Sequence, residues 1–162
     1  MSSRPAPCRE REVNEIDKQK LVEGLRGIVG EGKVITDEQI ILDASKDYIG
    51  FRTYERHDGQ FDVPRAACVV KPQNTEEVSK ALAFLNANRV DVVPRTGGSS
   101  VTMGLEPPSD GVILDGSDMN ELIEVDTENM WVTARCGTPM AYIEDYLQER
   151  GYTTGHSPQS LP

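Results

Sequence analysis

The stretch "AACVVKPQNTEEVSKALAFLNANRVDVVPRTGG" limits what this chain can fold into more than any other part of it. It opens on a short apolar run closed by Lys71-Pro72, the pattern of a buried strand. Asn74 and Glu77 stand three apart just before an apolar-periodic segment, which is a capping box. Val78, Ala81, Leu82 and Leu85 then recur at i, i+3, i+4 and i+7, one face of a helix predicted to end near Asn88. Asp-Val-Val-Pro follows as a second strand. This βαβ order predicts parallel strands joined by a right-handed crossover.

The flanking sequence is read against that unit. Residues 1–12 are polar and proline-broken, and disorder is expected there. Asn14 and Asp17 suggest the start of a helix carrying Val13, Ile16, Leu21, Val22, Leu25, Ile28 and Val29, stopped by Gly30 and Gly32. Thr36 has the character of an N-cap for a second helix, "DEQIILDASKDY". From Ile49 to Pro64 no period is visible, and the expectation is a loop ordered by Phe51, Tyr54 and Phe61.

Beyond the glycines, "GVILDG", "ELIEVD" and "MWVTARC" are short apolar runs with tight polar connections, which predicts antiparallel pairing. Thr138 is the expected cap of a further helix with Pro139 at its first position, Met140, Ile143 and Leu147 facing the core and Gly151 ending it. "YTTGHSPQSLP" follows as a loop or ragged strand. The fold class is therefore α+β: N-terminal helices, a βαβ unit with a short parallel sheet, then the start of a second, mainly antiparallel sheet with a helix. The expected organisation is one unit over 13–162, with a first subdomain over 13–95 and the start of a second over 96–162.

Composition narrows the function. The net charge of −10 disfavours nucleic acid and anionic membrane surfaces as partners. Cys8, Cys68 and Cys136 are far apart and odd in number, which reads as free thiols in a reducing compartment. The N-terminus has no apolar segment of the secretory type and no run long enough for a membrane helix, so a cytoplasmic location is expected. With only two histidines and scattered cysteines, no metal site is expected.

The chemistry lies in "VPRTGGSSVTMG". Pro94 lacks an N–H and ends the strand. Gly97 and Gly98 permit positive φ, so that successive amides can converge on an anion while missing Cβ atoms let it approach the main chain. Ser99 and Ser100 add hydroxyls and Arg95 adds charge. The stretch fits neither the Walker A pattern nor the GxGxxG dinucleotide fingerprint, and alone it is more often a turn between strands.

In context it resembles a known family. "VVKPQNTEEVSKALAFLNANRVDVVPRTGGSSVTMG", followed by "GVILDGSDMNELIEVDTENMWVTARCGTP", is similar to the flavin-binding domain of the vanillyl-alcohol oxidase and p-cresol methylhydroxylase family. "YTTGHSPQSLP" resembles alkyl-dihydroxyacetonephosphate synthase and glycolate or D-lactate oxidase-type members. The resemblance runs from about Val34 to Pro162. It implies FAD with its diphosphate on the loop Pro94, Arg95, Thr96, Gly97, Gly98, Ser99 and Ser100, closed by Gly104, and a second flavin segment beginning at Gln159, Ser160 and Leu161. Thr96 stands where the family often has its first glycine. Ser99 stands where some members carry a flavin-linked histidine, which implies non-covalent FAD.

The family's "SLP" is followed by a T-V-G-G stretch and a substrate domain. The chain is accordingly expected to be an amino-terminal portion, without catalytic residues of its own and with weak or no FAD retention. The implied parent enzyme is an FAD-dependent oxidoreductase acting on a 2-hydroxy acid or similar small alcohol. Alternatives are part of an alkyl-dihydroxyacetonephosphate synthase-like enzyme, or a non-catalytic module that binds a partner chain or itself. His156 and His57 lack partners at catalytic spacing and read as structural or solvent-facing. Trp131 and Tyr142 are expected to pack inside, and the carboxylates of "IEDYLQER" to form a solvated helix face.

Overall fold

The computed structural model describes residues 16–47, 49, 65–108, 110–156 and 158. The expected N-terminal disorder, the loop with Phe51, Tyr54 and Phe61, and His57 lie outside the described residues, apart from Ile49.

Asp17 caps α1 (Lys18–Val29) by accepting the Gln19 amide at 3.1 Å, and the chain leaves the helix at Gly30 with φ +95°. A single 3₁₀ turn leads into β1 (Val34–Ile35). The next helix, α2 (Glu38–Ala44), is capped by Asp37, not Thr36: the Asp37 carboxylate accepts the Ile40 amide at 3.0 Å. Then come β2 (Cys68–Val70) and α3 (Thr75–Ala87). The capping box in front of α3 forms as expected. Asn74 accepts the Glu77 amide at 2.9 Å, and Glu77 reaches back to the Gln73 amide at 2.8 Å. Ala81 and Leu85 are buried, whereas Leu82 is 42 % exposed.

The parallel sheet departs from the expectation in one respect. β3 (Val92–Arg95) runs parallel with β2 but does not touch it. β4 (Val112–Asp115), expected in the antiparallel set, lies between them and is parallel to both. The sheet order is β1-β2-β4-β3, with β1 antiparallel at the edge. Every residue of β4 is buried, and a near-continuous apolar run is what a central parallel strand covered on both faces requires. Cys68, Val70, Val112 and Leu114 face α1 and α3. Val69, Val93 and Ile113 face α2. Gly24 marks the α1–α3 crossing, where a Cβ would overlap the Phe84 ring.

β5 (Leu122–Asp126) and β6 (Trp131–Ala134) form a separate antiparallel hairpin. Asp126 builds its turn by accepting the Glu128 and Asn129 amides, each at 2.9 Å. The helix α4 (Met140–Gln148) follows. Here Pro139 is the N-cap and no side chain caps it. Thr138, the expected cap, instead donates its hydroxyl to the Glu121 carbonyl at 3.1 Å, tying the helix entry to the hairpin. Ile143 and Leu147 are buried as expected. Trp131 and Tyr142 are not: they are 55 % and 52 % exposed. Each lies on a surface that no described element covers, so the aromatic character of neither residue translates into burial.

Candidate functional site

The C-terminal ends of β3 and β4 meet at one edge of the sheet, where open α/β sheets bind ligands. The strand register pairs Arg95 with Asp115 and Pro94 with Leu114. Pro94 is tolerated because β3 is the edge strand. Beyond Arg95 the chain turns through Thr96, Gly97 and Gly98. The two glycines serve different ends. Gly98 is buried with φ +71°, a conformation that side-chain-bearing residues avoid. Gly97 stays out of the left-handed region, and a Cβ built on it would meet nothing within 4 Å, so it leaves open space in front of the main chain. Among the described residues, the amides of Gly97, Gly98 and Ser99 donate no hydrogen bond to another part of the chain.

Ser100 and Gly104 close the loop. The Ser100 hydroxyl oxygen accepts the Gly104 amide at 3.2 Å and the Thr102 amide at 3.5 Å, and a Cβ on Gly104 would stand 3.1 Å from it. Ser100 thus faces into its own loop, while Ser99 faces outward into a cleft.

That cleft has a volume of about 490 Å³. Thr96, Gly97 and Ser99 form one wall. The other comprises Ser117 and Asn120 beyond β4, the segment Cys136 to Met140 that enters α4, and His156 with Pro158. A close backbone crossing holds the second wall together: a Cβ on Gly137 would overlap the Gly116 carbonyl oxygen and lie 2.9 Å from Ser117 Cα. The positive end of α4, without a side-chain cap, opens on the same cleft.

Two polar clips brace this edge. Asp118 accepts Lys33 Nζ at 2.6 Å and Lys71 Nζ at 3.2 Å, joining the ends of three chain segments. The Lys33 hydrogen bond, foremost, holds the Asp118 carboxyl below its ordinary pKa. Glu144, on the helix face expected to be merely solvated, accepts the hydroxyls of Thr153 and Thr154, each at 2.6 Å, and the Thr154 amide at 2.9 Å. These bonds, led by Thr153, bring its pKa down to about 2. They fasten the loop that carries His156 into the cleft.

Of the residues singled out by sequence, Pro94 and Arg95 end β3, and Thr96, Gly97, Gly98, Ser99 and Ser100 follow as the loop that reaches Gly104. Gln159, Ser160 and Leu161 lie outside the described residues, although Pro158 reaches the cleft. Sequence reasoning missed Ser117, Asn120, Cys136 and Gly137. The only local signal for them was the Cys-Gly-Thr-Pro turn before α4. Cys136 is exposed and Cys68 buried, and burial pushes the Cys68 thiol up to about 11. Among the described residues no cluster of His, Cys, Asp or Glu could hold a metal ion.

The geometry suits a diphosphate. Among the described residues, the loop amides of Gly97–Ser99 have no acceptor and stand beside a bare glycine surface, and Arg95 Nε is a buried donor without a partner. Residues 66–162 match the FAD binding domain family. The chain belongs to this FAD-binding domain family.

Relatives agree with the match. An FAD-linked oxidoreductase of Escherichia coli (strain K12), YgcU, is 46 % identical over 148 residues, covering 91 % of this chain and 30 % of the relative. The mitochondrial D-lactate dehydrogenase [cytochrome] 1 of Saccharomyces cerevisiae is 31 % identical over 162 residues, covering 98 % of this chain and 26 % of that protein. Among solved structures, alkyldihydroxyacetonephosphate synthase superposes with a TM-score of 0.79 at 21 % identity, covering 94 % of this chain and 28 % of that one. p-Cresol methylhydroxylase gives 0.65 at 18 %, covering 82 % and 25 %. These likenesses establish the fold, as the flavin-binding resemblance implied. The chain spans 30 % or less of the length of these relatives.

Proposed function

We propose that the chain anchors the diphosphate of FAD on the loop Pro94–Ser100, closed by Gly104, without a covalent link. The observation that carries this reading is the combination at residues 97–99: amides with no acceptor among the described residues, a left-handed Gly98 and open space before Gly97. Each amide donating to a charged oxygen contributes about 1.5–3 kcal/mol in a partly dry site. Ser99 carries a hydroxyl and no imidazole, which supports non-covalent attachment. Gln159, Ser160 and Leu161 are the proposed second contact, continuing from Pro158 at the cleft.

The proposed whole-protein activity is oxidation of a 2-hydroxy acid or similar small alcohol by hydride transfer to the flavin, with the protein holding and tuning the cofactor. The D-lactate and D-2-hydroxyglutarate dehydrogenases among the relatives support that substrate class. Because β4 lies inside the first sheet, between β2 and β3, the proposed division into subdomains moves from about residue 95 to beyond Asp115, and the loop belongs to the first of them. A cytoplasmic location is proposed on the free thiols of Cys68 and Cys136. Among the described residues no helix is long and apolar enough to cross a membrane.

The test is an FAD titration followed through the Gly97, Gly98 and Ser99 amide resonances. Weak but saturable shifts in the native chain, abolished by Gly98→Asp, are expected. Equal affinities for both proteins would end the loop assignment.

A second reading concerns partners. Ile123, Met130 and Trp131 expose apolar surface along the hairpin, which favours a further polypeptide layer there. The relatives are longer than this chain, and the proposed occupant of this face is such additional polypeptide. In the isolated chain the same face then drives self-association, read as mass in solution; a monomer at every concentration counts against it.

A further inference from the structure

Arg95 makes an unusual use of its five N–H donors. Among the described residues only its Nη1 is engaged: it donates to the Thr96 carbonyl at 3.3 Å and to Asp115 Oδ2 at 3.4 Å. The opposite edge of the guanidinium, Nε with Nη2, has no partner among the described residues, and Nε is buried. That edge lies over Gly98. A Cβ on Gly98 would stand 2.5 Å from Nη2, 2.9 Å from Cζ and 3.4 Å from Nε. Glycine at 98 is favoured by its φ, and its bare Cα also seats the arginine: a side chain there would push the flexible guanidinium aside.

The other anchor is Asp115. Its side chain is 7 % exposed, and both oxygens are spent. Oδ1 accepts the Ser117 amide at 2.9 Å and Oδ2 accepts Arg95 Nη1. A buried carboxylate beside an anion site would repel the ligand if it stood alone. Here it neutralises one corner of the arginine and joins the two walls of the cleft. The Nε–Nη2 edge left over is the planar fork that matches two oxygens of one phosphate group.

We propose that Asp115 is a positioning residue for Arg95, holding one corner of the guanidinium on Gly98 so that its Nε–Nη2 edge meets a phosphate group at the glycine loop. This rests on the diphosphate reading of the loop and adds to it the group that fixes the phosphate's orientation. Asp115 itself touches no ligand. Lysine at 95 would keep the charge and lose the fork.

The test is a titration of the 162-residue chain with inorganic pyrophosphate. It is followed by ¹⁵N–¹H spectra that resolve the loop amides and the arginine Nε–H groups. In the native chain the Gly97–Ser99 amides and Arg95 Nε are expected to shift together with one saturation curve. Asp115→Asn keeps an oxygen for the Ser117 amide but removes the charge that holds Arg95. Its Arg95 Nε response should vanish and pyrophosphate should bind about tenfold more weakly, the change expected for one charge-assisted hydrogen bond. Arg95→Gln, at a partly exposed side chain, should show the same loss. Adding Asp115→Asn to it should cost nothing more.

If the amides shift and Arg95 Nε does not, this inference is overturned while the loop reading stands. If neither responds, both are overturned. An Asp115→Asn chain with the native Nε response refutes the role of Asp115. Should that variant not fold, additional weakening of pyrophosphate in Arg95→Lys relative to the native chain supports the fork, and native affinity refutes it.

Discussion

The Gly116–Gly137 crossing yields the sharpest test of how the cleft is built. In Gly137→Ala the new methyl would overlap the Gly116 carbonyl oxygen and approach Ser117 Cα to 2.9 Å and the Gly116 carbonyl carbon to 3.0 Å. All three obstacles are backbone, so no side chain can rotate away. Gly137 is not in the left-handed region, so alanine brings no conformational strain and the whole effect is steric. Overpacking of this kind costs about 1–3 kcal/mol. Moving the turn also weakens the bond from the Gly137 amide to the Met119 carbonyl, 2.9 Å long, a further loss of about 0.5–1.5 kcal/mol. The sum, about 2–4 kcal/mol, corresponds to a fall in Tm of roughly 5–15 °C for a chain of this size. Gly97→Ala is the control. Its methyl meets nothing within 4 Å and its φ is permissive, so its Tm should match the native chain while the methyl intrudes on the cleft and weakens FAD. Thermal unfolding followed by circular dichroism measures both. Equal Tm for Gly137→Ala and the native chain would refute the crossing; a large fall for Gly97→Ala would refute the openness of the loop.

Other outcomes follow from the same contacts. Glu144 has a depressed folded pKa, so its hold on the Thr153–Thr154 loop is full above its ordinary 4.5 and lost as pH falls through about 2; hydrogen exchange at the Thr154 amide should lose protection across that window and not before it. Asp118→Asn should destabilise by about 1 kcal/mol, less at high salt, because Lys33 and Lys71 lose a partly exposed ionic partner; an identical denaturant midpoint would contradict the clip. Alkylation read by mass spectrometry should label Cys136 in the native chain and spare Cys68, which is buried with its thiol raised to about 11. Since Cys136 lines the cleft, saturating FAD should slow its labelling, and an unchanged rate would place the ligand elsewhere.

What the amino-acid order determined by itself was local. The Asn74–Glu77 box, the apolar stripe of α3, the stop at Gly30 and the glycine turn after β3 each arise from residues within a few positions of one another. Their energetics of capping, periodicity and permitted φ can be evaluated on an isolated segment. The glycine loop was therefore legible, and so, through several motifs in order, was the flavin-binding resemblance. What only the tertiary structure decided was which distant segments meet. Tight connections suggested an antiparallel place for β4, yet its fully buried side chains gain more between β2 and β3 than at an exposed hairpin. Trp131 could not be judged buried or exposed from its own type, because burial belongs to whatever lies across from it. The far wall of the cleft, Ser117, Asn120, Cys136 and Gly137, depends on a backbone crossing between turns remote in sequence. The fork of Arg95 likewise acquires its aim from Asp115 on a neighbouring strand. Such contacts form only after chain closure over long separations, and no window of local sequence records their free energy.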